Sequence, residues 1–156
     1  LSQIKNNTSY WLGHLPTDPY EQFAGQTFEC PAESVLDNIQ VYINAVQQPG
    51  HVNLTLHFFD TLTKTWGPVI SSVAITISKK DQGRWIRFTL HPVTLQKGTV
   101  YAFRLQSHDA LIAIGEAAWP IKEPFAAGRE WTGDAVNPAG NFYTYFSLAF
   151  KVEIRA

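Results

Sequence analysis

Apolar and polar residues alternate one by one through most of the chain. The clearest case is the segment 51–60, where Val52, Leu54, Leu56 and Phe58 fall on one side of an extended backbone. Alternation with a period of two predicts strands that bury one face and expose the other, which is typical of antiparallel sheets. No segment of helical length shows the 3.6-residue period of an amphipathic helix.

These segments arrive every ten to fifteen residues and predict an all-β fold. We expect strands at 23–30, 35–44, 51–60, 69–78, 83–90, 93–95, 99–107, 111–116 and 141–154, and a shorter one near 9–13. Their number favours an antiparallel two-sheet β-sandwich, with a jelly roll as the preferred topology and an immunoglobulin-like sandwich second. We expect a single domain over residues 1–156, in which 1–21 lack periodicity and form an extended N-terminal arm.

One stretch, 115–141, departs from the alternation and is rich in glycine and proline. It carries two tryptophans, Trp119 and Trp131. A long loop inside a compact domain is usually functional or disordered, and large aromatic side chains disfavour disorder. We therefore take this loop as the first candidate for a recognition site.

The residue types in this loop suit carbohydrate binding. Flat aromatic faces can cover the C–H surfaces of sugar rings, and planar polar groups can form paired hydrogen bonds to hydroxyls. The candidate ligand-binding residues are Trp119, Phe125, Arg129, Glu130, Trp131, Asp134 and Asn141. The alternative is that the two tryptophans fold back and cap the open end of the sandwich.

A second candidate platform lies on the strands rather than on the loop. Its members face away from the apolar side of their own segments and are His57, Phe59, Trp85 and Arg87. If the two strands that carry them are neighbours, they form an aromatic and basic face. The alternative is that the N-terminal arm, with Tyr10 and Trp11, covers this face.

Composition excludes several classes of function. Charged residues make up 16% of the chain and the net charge is −1, so there is no basic surface of the kind that binds nucleic acid. Cys30 is the only cysteine, which rules out an internal disulfide. No run approaches 18 apolar residues, so we expect no membrane span.

The chain begins at Leu1 and has no methionine, and we expect a processed or excised piece.

Neither a metal centre nor a catalytic centre is indicated. His51 and His57 share a strand face but lie about 20 Å apart on an extended chain, too far for one metal ion. Calcium is different, because oxygen ligands from loops leave little trace in a sequence. Asp109 and Asp134 are candidates for a structural calcium ion, and no other cofactor is predicted. No nucleophile with its base and no cofactor loop is present, so we expect no enzyme; a glycosidase would need two loop carboxylates to converge.

Several stretches in one order resemble a broad set of bacterial exported β-sandwich modules. They are 24–31 (AGQTFECP) with 35–43 (VLDNIQVYI), 92–105 (PVTLQKGTVYAFRL), 125–131 (FAAGREW) and 147–152 (SLAFKV). The chain departs from the pattern at Ala127, where a glycine is usual, and at Ser147, where an aspartate is usual. The resemblance implies a jelly-roll fold similar to that of carbohydrate-binding modules.

Together these observations predict a non-catalytic carbohydrate-binding or accessory module of an exported bacterial protein, secreted or at the cell surface. The expected partners are a polysaccharide or glycan and neighbouring domains of a larger polypeptide. The alternative is a structural or protein-interaction β-sandwich without a small-molecule ligand.

Overall fold

A computed structural model describes residues 1–155, and its regular structure is β throughout apart from one 3₁₀ turn at Lys79–Asp81. The strands are β1 (Ser2–Gln3), β2 (Thr8–Gly13), β3 (Gln22–Glu29), β4 (Ser34–Gln48), β5 (Gly50–Asp60), β6 (Thr65–Ile77), β7 (Arg84–Leu95), β8 (Val100–Gln106), β9 (Leu111–Ala117), β10 (Glu130–Asp134), β11 (Asn141–Tyr143), β12 (Ser147–Leu148) and β13 (Phe150–Arg155). No helix among these residues is long and apolar enough to cross a membrane.

The strands pair in antiparallel fashion and form two layers. In the first layer, β4 pairs with β7 along one edge, and with β13 and then β9 along the other. In the second layer, the order is β3, β8, β5 and β6. The all-β antiparallel sandwich predicted from the alternation is therefore confirmed, while the jelly-roll topology stays a prediction.

The alternating apolar residues of both layers meet in one core. Leu54 and Leu56 of β5 and Ile39 of β4 are fully buried within the same cluster. Phe103 of β8 contacts Phe150 of β13 with ring centroids 5.8 Å apart, although these strands are not sheet neighbours. Such a contact requires the inner faces of the two layers to pack against each other.

Two short strands connect residues 1–21 to the sheets. β1 pairs with β13, and β2 pairs along its whole length with β9. At the end of β2, Gly13 also pairs with Gln22 of β3, so this strand joins the two layers. The short strand expected near 9–13 is present, and its backbone hydrogen bonds make it part of the sheet rather than a cover over it.

Gly13 is the tightest point of this joint. Its φ is +91°, in the region that favours glycine, and a Cβ added there would lie 1.9 Å from the carbonyl oxygen of Ala110. That oxygen accepts a hydrogen bond from the amide of His14 at 3.0 Å, so it is not free to move away.

We predict that Gly13→Ala destabilises the protein much more than Gly98→Ala does. Gly98 has a similar φ of +79° but no heavy atom within 4 Å of an added Cβ, so its substitution costs only the backbone strain, about 1–2 kcal/mol. Gly13→Ala adds a clash to the same strain, and we expect at least about 1 kcal/mol more. Urea unfolding of both variants measures the difference, and equal losses would contradict this account of the joint.

Candidate functional site

The loop predicted at 115–141 is only partly irregular. β9 continues to Ala117, the irregular segment is 118–129, and β10 follows and pairs with β3. β11 pairs with the other side of β10, placing Trp131 opposite Phe142 and Glu130 opposite Tyr143. Because neighbouring side chains of a strand point to opposite faces, this ribbon separates residues that the sequence places together.

Trp131 lies in the interior of the structure. It has 0% exposure, stacks on Phe23 at 6.4 Å and meets the edge of Trp66 at 5.2 Å. Its indole Nε1 donates to the carbonyl oxygen of Ala139 at 2.9 Å. This corrects the expectation of an exposed Trp131 platform: the ring supports the fold, as the capping alternative proposed.

Arg104, which sequence reasoning did not select, completes the aromatic cluster of Phe23, Trp66 and Trp131. The Arg104 guanidinium lies 5.3 Å from the Trp66 ring and 5.8 Å from the Trp131 ring, a cation–π arrangement. Burial lowers the pKa of Arg104. His57 is also buried here, and its ring nitrogens contact the Gly67 carbonyl and the Thr55 hydroxyl at 3.0 and 2.8 Å. Burial is the main cause that lowers the pKa of His57.

The second predicted platform is not assembled. His57 and Phe59 lie on β5, whose neighbours are β6 and β8, whereas Trp85 and Arg87 lie on β7, which pairs with β4. The expectation that these four residues share a face is wrong, because the two strands belong to different layers. Trp85 instead packs against Tyr42 at 5.4 Å, and the Lys151 ammonium lies 4.3 Å from its ring.

Trp119, in contrast, is 77% exposed. Asn7 holds the backbone beneath it: its Nδ2 donates to the Ala118 carbonyl at 3.1 Å, and its Oδ1 accepts from the Ala118 amide at 2.8 Å. A groove of about 660 Å³ runs beside the indole. We call it the Trp119 groove. It is lined by Asn7, Thr8, Ala118, Trp119, Ile121, Lys122, Tyr145 and Phe146.

Tyr145 is a second exposed aromatic residue of this groove, and sequence reasoning did not select it. It is 54% exposed and packs against Phe146 at 4.8 Å and Tyr143 at 5.5 Å. The segment 141–154 was predicted as one strand, but the structure breaks it at residues 144–146. The signal was present, because aromatic residues at both even and odd positions over 142–146 cannot all face one core.

A second and smaller groove includes Phe142 of β11. Its volume is about 190 Å³, and Phe59 and Phe142 pack at 5.2 Å within it. The residues of this Arg129 groove are Thr27, Phe59, Thr61, Lys64, Val100, Ala126, Ala127, Gly128, Arg129 and Phe142. Arg129 is exposed and lines this groove together with Lys64, whereas Trp119 lines the other groove.

Glu130 is buried on the inner side of the ribbon. It has 0% exposure, and its two carboxyl oxygens have no hydrogen-bond partner among residues 1–155. Burial, followed by the neighbouring Glu116 carboxyl, raises the pKa of Glu130 well above its ordinary value. Burial and then Glu130 also raise the pKa of Tyr10. A fully buried Glu130 cannot contact a surface ligand, which corrects its place among the candidate ligand-binding residues.

The remaining candidates have structural partners. Phe125 is half-buried and meets Phe150 edge to face at 5.0 Å. The Asp134 carboxylate accepts from the backbone amides of Val136 and Asn137 at 2.9 and 2.6 Å, which organises its own turn. Asn141 is exposed on β11. Asp134 and Asn141 line neither groove.

Calcium binding stays a prediction. The Asp109 carboxylate accepts from the backbone amide and Nδ1 of His51 at 2.8 and 2.9 Å, and Asp134 is engaged in its turn. Over residues 1–155 no three His, Cys, Asp or Glu side chains come together in a way that could hold a metal ion.

Comparison with known proteins gives little similarity. No protein-family model and no curated protein matches the chain. Among solved structures, it is similar to a cycloisomaltooligosaccharide glucanotransferase from Paenibacillus sp., complexed with cycloisomaltoheptaose, at 10% identity and a TM-score of 0.33. The alignment covers 74% of this chain and 17% of the enzyme, so the chain spans about a sixth of that protein. Similarity at this level carries no argument about function.

We predict that Glu130→Gln flattens the pH dependence of stability. Above about pH 4.5 the unfolded chain releases the Glu130 proton while the folded protein retains it, because the pKa is raised by folding. Stability of the native protein therefore falls as pH rises, by up to about 1.4 kcal/mol per pH unit from this group, until the folded carboxyl ionises. The amide of Gln cannot ionise, so this loss disappears.

Urea unfolding between pH 4 and 8 measures this slope for the native protein and the variant. Glu123→Gln is the matched control, because Glu123 is exposed. The same slope in the native protein and in Glu130→Gln would show that Glu130 ionises normally in the fold.

Proposed function

We propose that this protein is a non-catalytic module that binds carbohydrate through the Trp119 groove. The observation that carries the proposal is the pair of exposed rings, Trp119 and Tyr145, in one groove above an anchored backbone. Proteins use such rings against the apolar C–H faces of sugars, and the tyrosine hydroxyl can also form a hydrogen bond.

The exposure of Trp119 is unfavourable for folding alone. Burying an aromatic side chain contributes about 1.5–3 kcal/mol, and the fold forgoes this at Trp119 while burying Trp131 fully. The hydrogen bonds from Asn7 hold the main chain at Ala118. The loop therefore loses less conformational entropy when a ligand binds, which favours affinity.

The polar groups of the groove suit a saccharide. Thr8 supplies a hydroxyl, Lys122 an ammonium group and Tyr145 a phenol, so both donors and acceptors are available to sugar hydroxyls. The lining residues include no carboxylate or imidazole. The groove thus offers aromatic and hydrogen-bonding contacts but not the two carboxyl groups that glycoside hydrolysis uses, which supports binding over turnover.

The rest of the proposal comes from the sequence. The order of the stretches between residues 24 and 152 resembles bacterial exported modules of jelly-roll fold. We therefore infer that the protein is secreted or on the cell surface, where it serves as an accessory module of a larger polypeptide with a polysaccharide as its ligand.

We predict that Trp119→Ala and Tyr145→Ala each weaken glycan binding by about tenfold or more, because each removes an exposed ring that contacts the ligand. A glycan array identifies the ligand of the native protein, and calorimetry of the variants measures the affinity. Neither substitution should lower the unfolding free energy much, since both rings are exposed.

Trp11→Ala is the matched control, because Trp11 is 39% exposed on β2 and lies outside the groove. Binding that survives loss of both groove rings would refute the site. An array without any bound glycan would favour the structural alternative, in which the protein pairs with neighbouring domains. In that case β6 is the strand available to pair with a neighbouring domain, since among the described residues it pairs only with β5.

A further inference from the structure

The Arg129 groove has a rigid wall formed by the end of the 118–129 loop. The amide of Thr27 donates to the Arg129 carbonyl at 2.8 Å, and the amide of Arg129 donates to the Thr27 hydroxyl at 2.9 Å. One step further, the Glu29 amide donates to the Ala127 carbonyl at 2.9 Å. Residues 127–129 therefore continue the pairing of β10 with β3, and the backbone of Arg129 is fixed as firmly as a strand.

The opposite wall is the hairpin between β5 and β6, which carries Lys64. The Asp60 carboxylate closes this hairpin by accepting from the amides of Leu62 and Thr63 at 2.9 and 3.2 Å. Lys64 has a φ of +55° and is the only residue other than glycine with a positive φ among those described. Asparagine or glycine adopts this conformation at lower cost, so backbone preference does not account for lysine at this position.

Two cationic side chains and two aromatic rings line this groove. Arg129 and Lys64 are both exposed, and neither forms a salt bridge within residues 1–155. No acidic residue lines the groove, although the whole chain has a net charge of −1. The positive charge is therefore a local property of this groove, and it lies beside the rings of Phe59 and Phe142.

We propose that the Arg129 groove binds an acidic saccharide residue, one that carries its anionic group on the sugar ring. The guanidinium of Arg129 and the ammonium of Lys64 receive the anion, and the ring lies against Phe59 and Phe142. The volume of about 190 Å³ is below that of sites for drug-sized ligands and suits one residue of a chain or its end. This inference rests on the proposed carbohydrate-binding function and adds a charge requirement at a second groove.

The experiment compares acidic oligosaccharides with their neutral counterparts. The probes are oligogalacturonate, oligomannuronate and glucuronate-substituted xylo-oligosaccharide, each beside its carboxyl-reduced form, and a sulfated galactan beside its desulfated form. We expect the native protein to bind at least one acidic member at least about tenfold more tightly than its neutral partner, and to lose this preference as salt is raised. The carboxylated and sulfated arms identify which anion is bound.

The variants are Arg129→Gln and Lys64→Asn, and each should abolish the preference for the acidic member. Lys64→Asn should also leave the unfolding free energy unchanged or raise it, because asparagine tolerates the positive φ. A loss of the preference for the acidic member in this variant therefore does not reflect unfolding. Lys122→Gln is the matched control, since it removes a positive charge from the Trp119 groove and should retain the preference.

The outcomes separate this inference from the proposed function. Trp119→Ala should weaken binding of acidic and neutral members alike, whereas Arg129→Gln and Lys64→Asn should change only their ratio. The inference would be overturned if both variants kept the native ratio of affinities for acidic and neutral members, or if the native protein preferred no acidic member. Neither outcome would affect the proposed binding in the Trp119 groove.

Discussion

A strand cannot place two neighbouring side chains on the same face, and the candidate site depends on this constraint. β10 pairs with β3, so Trp131 and Glu130 must point to opposite faces of the strand. The first closes an aromatic layer around Arg104, and the second becomes a buried carboxyl group. Side chains left for ligands lie where the chain stops being a strand, at Lys64, Trp119 and Tyr145.

Most of the strands could be predicted because alternation is a local property. Val52, Leu54 and Leu56 are buried as their spacing indicated, whereas Phe58, expected on the same face, is 47% exposed beyond a shift in strand register at His57. The neighbours of each strand could not be predicted, since pairing depends on contacts between distant parts of the chain. This is why the face combining Phe59 with Trp85 does not exist: both are correctly placed on their own strands, but these strands lie in different layers.

Within the candidate site, sequence reasoning selected the correct region but could not separate exposed from buried aromatics. Trp119 and Trp131 have similar local surroundings of glycine and proline, yet one is exposed and the other fully buried. The difference comes from pairing, because Trp131 lies on a strand that β3 and β11 enclose, while Trp119 lies in a turn held by Asn7. Arg104 and Lys64 carried no local signal, since the partners that define their roles are remote in sequence.

β11 is only three residues long, yet it contributes to both grooves. Phe142 forms part of the Arg129 groove, and its neighbour Tyr143 packs against Tyr145 of the Trp119 groove. The segment before it is fastened to the interior by the hydrogen bond between Trp131 and Ala139. The two surfaces thus share one supporting element. A displacement of this short strand would move an aromatic wall of one groove and the support of the other together.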